Sequence, residues 1–148
     1  MIEGLIIKKV IRHADERGFF SEIVKSGEDA FKDIQQVSYS ETKPGIIKAF
    51  HIHDYWEVWC IIKGRAQVVL ADLRKNSPTK GQTEVMRCSE DELTTIAIPP
   101  NVAHGYRPFG KTPMGIIYLA ARAYDPSKPA IESLPHDTPL INFNWNAK

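Results

Sequence analysis

Two histidines and a glutamate set between two glycines constrain this chain more than any other feature. Gly45 is followed after five residues by His51-Ile52-His53, after three more by Glu57, and after six more by Gly64. Residues two apart on an extended strand point to one face, so the His51 and His53 imidazoles share a side. Glu57 rejoins that side if Asp54-Tyr55-Trp56 makes a short turn. Imidazole nitrogen and carboxylate oxygen are both good ligands for divalent transition metals. His104 follows a proline turn at Pro99-Pro100 and is the candidate fourth ligand. The metal set predicted from spacing is therefore His51, His53, Glu57 and His104. Zn, Fe, Ni and Mn all suit such donors, and affinity order alone does not choose among them.

The rest of the chain reads as many short strands divided by turns. Ten prolines and nine glycines are scattered through 148 residues, which suits an all-β sandwich or barrel. Strand text runs over Leu5 to Arg12, Phe19 to Val24, Gln35 to Ser40, Val58 to Ile62, Ala66 to Leu73, Thr83 to Cys88, Ile96 to Ile98 and Met114 to Arg122. Val58 to Ile62 is apolar throughout and should be covered on both faces. Ser26 to Ile34 has room for one helical turn, and the proline-rich tail from Asp125 reads as an extended cover. No repeat or linker divides the chain, so a single domain over 1–148 is expected.

Composition narrows the partners. A formal net charge of +1 gives no electrostatic case for nucleic acid or an anionic membrane. No apolar run approaches the roughly 20 residues that span a bilayer, and the opening residues lack a signal peptide's order. Cys60 and Cys88, the two cysteines, read as buried free thiols, and the expected compartment is the reducing cytoplasm.

The Gly45 to Gly64 spacing resembles the first motif of the cupin superfamily. Pro99 and His104 fit the second motif, with Asn101 in place of its usual glycine. The implied fold is a cupin-type antiparallel β-barrel, a jelly roll with the metal inside. A closer resemblance, from about residue 10 to residue 145, is to the dTDP-4-dehydrorhamnose 3,5-epimerase family. It rests on Asp15-Glu16-Arg17-Gly18-Phe19-Phe20-Ser21-Glu22, on Gln36, on Leu73-Arg74-Lys75-Asn76-Ser77-Pro78-Thr79, on Pro99 to Tyr106, on Ile117-Tyr118 and on Asn144-Trp145. The resemblance implies that Arg17, Phe20 and Glu22 bind a nucleotide sugar across a homodimer, with Gln36 and Lys48 also on the substrate. It implies His51 as catalytic base and Tyr118 as catalytic acid.

Departures from that family lie around the histidines and at Val68, which stands at an acidic position of the family. Its Arg-Gly-Leu-His-x-Gln run is Lys48-Ala49-Phe50-His51-Ile52-His53 here, and its active-site lysine aligns with Glu57. The family needs no metal, whereas the changed residues are metal-ligand types. The function expected is thus a metal-assisted epimerase or isomerase of a keto-sugar, possibly nucleotide-linked, in carbohydrate biosynthesis. The alternatives are a metal-dependent cupin dioxygenase or hydrolase of a small acid, and a non-catalytic sugar-binding cupin. His13 and His136, in polar turn text, are expected at the surface.

Overall fold

The computed structural model describes residues 1–128 and 131–147. Its strands are β1 (Ile6–Lys9), β2 (His13–Asp15), β3 (Gly18–Phe20), β4 (Gln36–Thr42), β5 (Lys48–His53), β6 (Glu57–Lys63), β7 (Arg65–Ala71), β8 (Thr83–Ser89), β9 (Thr94–Ile98), β10 (Ala103–Pro108), β11 (Met114–Ala120) and β12 (Ile131–Ser133). One five-stranded sheet runs β1-β9-β6-β11-β4 and the other β12-β5-β10-β7-β8, while β2 and β3 form a separate hairpin. Every pairing between these strands is antiparallel.

The two-residue period of the strands builds the core. Trp59 and Ile61 of β6, Ile96 and Ile98 of β9, and Met114 and Ile116 of β11 meet Ala66, Val68 and Leu70 of β7 in one buried cluster. The alternate residues face outward and are covered too. Val58 and Ala97 pack under Val24, Ala30 and Trp56. Thr95 Oγ1 donates to the Ile23 carbonyl at 2.6 Å and the Lys8 ammonium meets Glu28 at 2.8 Å, pinning that cover. Phe50, Val69 and Ala71 lie under Ile141 and Trp145 of the C-terminal tail. The Trp145 ring sits 5.7 Å from that of Phe50, and its indole N–H donates to the His136 carbonyl.

The all-β antiparallel jelly roll agrees with the sequence reading, but the barrel is not closed. Among the described residues no strand pair joins the two large sheets, which are held together by their side chains. The strand read from Leu5 ends at Lys9, and β2 begins separately at His13. The strand read from Phe19 to Val24 stops at Phe20, because the Glu22 and Ile23 carbonyls accept from Lys8 and Thr95 side chains instead of a ladder. Residues 26–34 make turns without a helix, with Gly27 at φ 93° and Asp33 at φ 47° breaking helical geometry. Ile62 is exposed, beyond the reach of the outer cover. His13 and His136 are exposed as expected. Cys60 and Cys88 are buried and free, and burial pushes both thiols up to about 11.

Candidate active site

A cavity of about 410 Å³ opens at the end of the core where β5, β6, β10, β11 and β4 converge. Gln36, Lys48, His51, His53, Glu57, His104 and Tyr118 all line it. The turn at residues 54–56 returns Glu57 to the inner face with Trp59 and Ile61. His104 arrives on β10, in register with His51 on β5 and Leu70 on β7.

Three of the four predicted ligands converge. Ligand atoms of His53, Glu57 and His104 lie within 4.8 Å of one another, and all three residues are buried. Glu57 Oε2 is 3.1 Å from His53 Nε2 and 3.4 Å from His104 Nε2. His51 stands outside this group, with its ring 6.4 Å from that of His53 and 6.5 Å from that of His104, and is exposed to the cavity.

The electrostatics of the trio follow from one hydrogen bond. His104 Nδ1 lies 2.9 Å from the Val102 carbonyl. A carbonyl only accepts, so Nδ1 carries the hydrogen and the Nε2 of the neutral ring is a lone pair. Burial pushes His104 down to about 4, so the ring is neutral near pH 7. Burial pushes the Glu57 carboxyl upward, but His53, His104 and Trp59 outweigh it and hold it below the usual carboxylate range. A lone pair and a carboxylate oxygen therefore face each other. Glu57 Oε2, His104 Nε2 and His53 Nδ1 are all buried without a hydrogen-bond partner. The first two of these, 3.4 Å apart, are costly unless something positive sits between them.

His51 and Lys48 reach the cavity by a local irregularity. His104 pairs with His51 and Tyr106 with Lys48, so two steps on β10 oppose three on β5. The extra residue is a β-bulge, which re-aims side chains. Ala49, Phe50 and Ile52 pack in the outer cluster, while Lys48 and His51 both line the cavity. Burial chiefly lowers the His51 pKa; His53 and, least, Lys48 add to the effect, while Glu57 opposes it. Tyr118 is half-buried on β11, cross-strand from Ser38 on β4.

The inner wall includes Ser38, which the sequence reading did not select, beside Gln36, which it did. Gln36, Ser38, Ser40 and Thr42 alternate along β4 on its less exposed side, while Val37 and Tyr39 face out at 63% and 52% exposure. Gln36 donates to Ser38 Oγ at 3.1 Å and accepts from the Tyr124 amide at 2.7 Å. Polar residues at period two were the available signal. Arg122 also lines the cavity, paired with Asp54 at 2.9 Å and lying over the Tyr55 ring. Tyr55, Trp59 and Tyr106 line the cavity as well, and Trp59 belongs to the core too; Trp56 packs elsewhere, under Lys32.

Arg17, Phe20 and Glu22 lie outside the cavity lining. Arg17 is held by Asp15 across the hairpin turn at 2.5 Å, and Glu22 meets Lys25 at 3.2 Å. Phe20 projects from the hairpin at 62% exposure.

Comparison with known proteins agrees with this architecture. The family model described as dTDP-4-dehydrorhamnose 3,5-epimerase matches residues 1–148. The chain is 45% identical to the spore coat polysaccharide biosynthesis protein SpsL of Bacillus subtilis, covering 100% of this chain and 99% of that one. It is 32% identical to the probable low-salt glycan biosynthesis epimerase Agl13 of Haloferax volcanii, covering 99% and 96%. The crystal structure of a dTDP sugar isomerase from Desulfovibrio desulfuricans superimposes with a TM-score of 0.90 at 25% identity, covering 99% of this chain and 94% of that one. Among the described residues no helix is long and apolar enough to cross a membrane.

Proposed function

The chain belongs to the dTDP-4-dehydrorhamnose 3,5-epimerase family, and from that premise we propose that it epimerises a nucleotide-linked 4-keto-sugar, a dTDP-sugar, in carbohydrate biosynthesis. The observation that carries this reading is the shared cavity of His51 and Tyr118. A carbon beside a ketone gives up its proton to a positioned base and inverts when a donor on its other face returns one. The His51 imidazole, depressed in pKa and outside the buried trio, serves as the base. The Tyr118 hydroxyl serves as the donor. The C–H electron pair becomes the C=C bond of an enolate, and the carbonyl pair moves onto oxygen. Reprotonation from Tyr118 then restores the ketone with the carbon inverted. Gln36 and Lys48 orient the sugar from the cavity wall.

The trio fits a divalent cation, since its orphaned acceptors need a positive partner. We assign His53, Glu57 and His104 as the residues that would hold Zn, Fe, Ni or Mn, leaving His51 free. When bound, such an ion supplies Lewis-acid polarisation of a substrate oxygen.

The hairpin residues complete the site from a second copy. Arg17, Phe20 and Glu22 are exposed and remote from this chain's own cavity lining, so in a homodimer each hairpin would reach the partner's cavity and bind the nucleotide. The test is NMR of dTDP-4-dehydrorhamnose in deuterated buffer. Deuterium entering beside the ketone, lost in His51→Asn, with inversion lost in Tyr118→Phe, is the expected result. Exchange unaltered by both substitutions would overturn these roles.

A further inference from the structure

The outer N–H and C=O groups of an edge strand are unpaired, and they pair with any extended chain that reaches them. The two large sheets have edges at β1, β4, β12 and β8. β1 and β12 are short, at four and three residues, and β4 walls the cavity. β8 is seven residues long, pairs with β7 without a register shift, and contains neither proline nor lysine. A bridge to Glu92 closes its last residue, Ser89. From Thr83 to Cys88 no backbone group outside β7 bonds to it among the described residues.

The outer face beside that edge is positive. Arg87 on β8, Gln67 on β7 and Arg107 on β10 form one row across three strands, so the two arginine backbones stand about 10 Å apart. Arg65, two residues from Gln67 on β7, adds a third guanidinium to this face. Gln67 is buried at 6% exposure, and its Oε1 accepts from Arg107 Nε at 2.8 Å. Arg87 lies over the Phe109 ring, 4.5 Å from its centroid. A pocket of about 240 Å³ opens among Arg65, Arg87, Ser89 and Phe109. Among the described residues one carboxylate answers these three charges: Asp91, exposed and 3.6 Å from Arg65. Glu90 accepts from the Gly64 amide and Glu92 pairs with Lys9. Glu84, on the opposite face of β8, pairs with the amino terminus.

We infer that β8 and this arginine face form a docking site for an acidic, extended segment of a partner protein. The segment adds as a strand beside β8 and bonds to its free edge through the main chain. Its side chains alternate, so every second residue falls on the arginine face. Carboxylates there reach Arg87 directly and Arg65 through the pocket, in the planar geometry a guanidinium favours. Arg107, one strand further in, adds to the attracting field. An apolar residue covers Val85, exposed at 46% on the same face. A second copy of this chain suits the edge poorly. Antiparallel pairing of β8 with itself about Met86 would make the two Arg87 side chains diagonal neighbours on one face, a repulsive arrangement. The site shares no residue with the cavity of the proposed epimerase.

The test is an NMR titration of isotope-labelled protein with a capped peptide of alternating Glu and Val. Shifts confined to β8 and its flanks, with slowed exchange of the amides on its free edge, are the expected result. Affinity should fall as salt rises and by roughly tenfold in Arg87→Glu, with the melting temperature unchanged. A Lys-Val peptide, and a Glu-Val peptide methylated at its backbone nitrogens, should not bind. Equal binding of either control, or unaltered affinity in Arg87→Glu, would overturn the inference. So would the absence of shifts at millimolar Glu-Val peptide. Shifts at the arginines from a sulfated polysaccharide, without protection of the edge and without a response to the peptide, would overturn it in favour of an acidic glycan.

Discussion

Two nitrogens of one imidazole divide the work at His104. Nδ1 is committed to the Val102 carbonyl, and Nε2 is left as a lone pair against the Glu57 carboxylate. That opposition makes cation binding measurable. Protein stripped by dialysis should take up close to one Zn or Ni ion per chain by elemental analysis. Saturation to about 100 times Kd should raise stability by about 2.7 kcal/mol. Glu57→Gln should weaken uptake by at least tenfold; undiminished uptake would place the ion elsewhere. Asp72 gives a second prediction at this scale. Its side chain is wholly buried and accepts from Arg74, Ser77 and Thr79. The Arg74 guanidinium first, then both hydroxyls, hold the carboxyl well below its usual range. A depressed folded pKa contributes stability above the unfolded value, and that stability is lost as pH falls below it. Asp72→Asn should therefore cost about 2–4 kcal/mol near pH 7. The deficit should shrink below about pH 4, as followed by urea unfolding across pH.

At the scale of strands, β6 was legible as a run apolar on both faces and β7 as a strand. Which of their residues share a face follows from the two-residue period, which needs only local information. Glu57, Trp59 and Ile61 share a face, and the structure puts that face inward. The bulge between β5 and β10 was not legible. It consists of a register against a distant strand, and the Lys48 to Phe50 text carries no turn residue to announce it. Gly105 is its counterpart, placed where backbone and an alanine side chain already fill the space. Gly105→Ala should destabilise by about 1–3 kcal/mol, the usual cost of overpacking. Because the shift it forces falls on Lys48 and His51, epimerisation should fall further than the melting temperature implies. A variant with wild-type melting and turnover would show that β5 yields without cost. β4 teaches a related lesson: Gln36 and Ser38 of its polar row line the cavity, so the usual rule of apolar side inward pointed away from that wall.

The whole molecule is two sheets around one core, with a segment docked on each outer face. The tail cover is anchored by Trp145 against Phe50 and Phe143. Trp145→Ala should cost about 3–5 kcal/mol, the range for a buried aromatic, with early loss of amide protection in residues 134–147. The hairpin β2–β3 leaves its phenylalanines uncovered, with Phe19 and Phe20 at 50% and 62% exposure. A dimer in light scattering, weakened in Phe20→Ser, would support its crossing to a second copy; a monomer at high concentration would argue against it.

The sequence by itself determined the strand rhythm, the fold class and the spacing that brings His53 and Glu57 together, because all three depend on residues close along the chain. It also carried the family's signature segments, whose chemistry is written in their residue types. Only the tertiary structure decided that His104 joins that pair while His51 does not, and that a bulge on β5 turns Lys48 and His51 into one cavity. These depend on register between distant strands and on one extra residue in a ladder. Side-chain identity fixes what a group can do; the pairing of remote backbones decides what it faces.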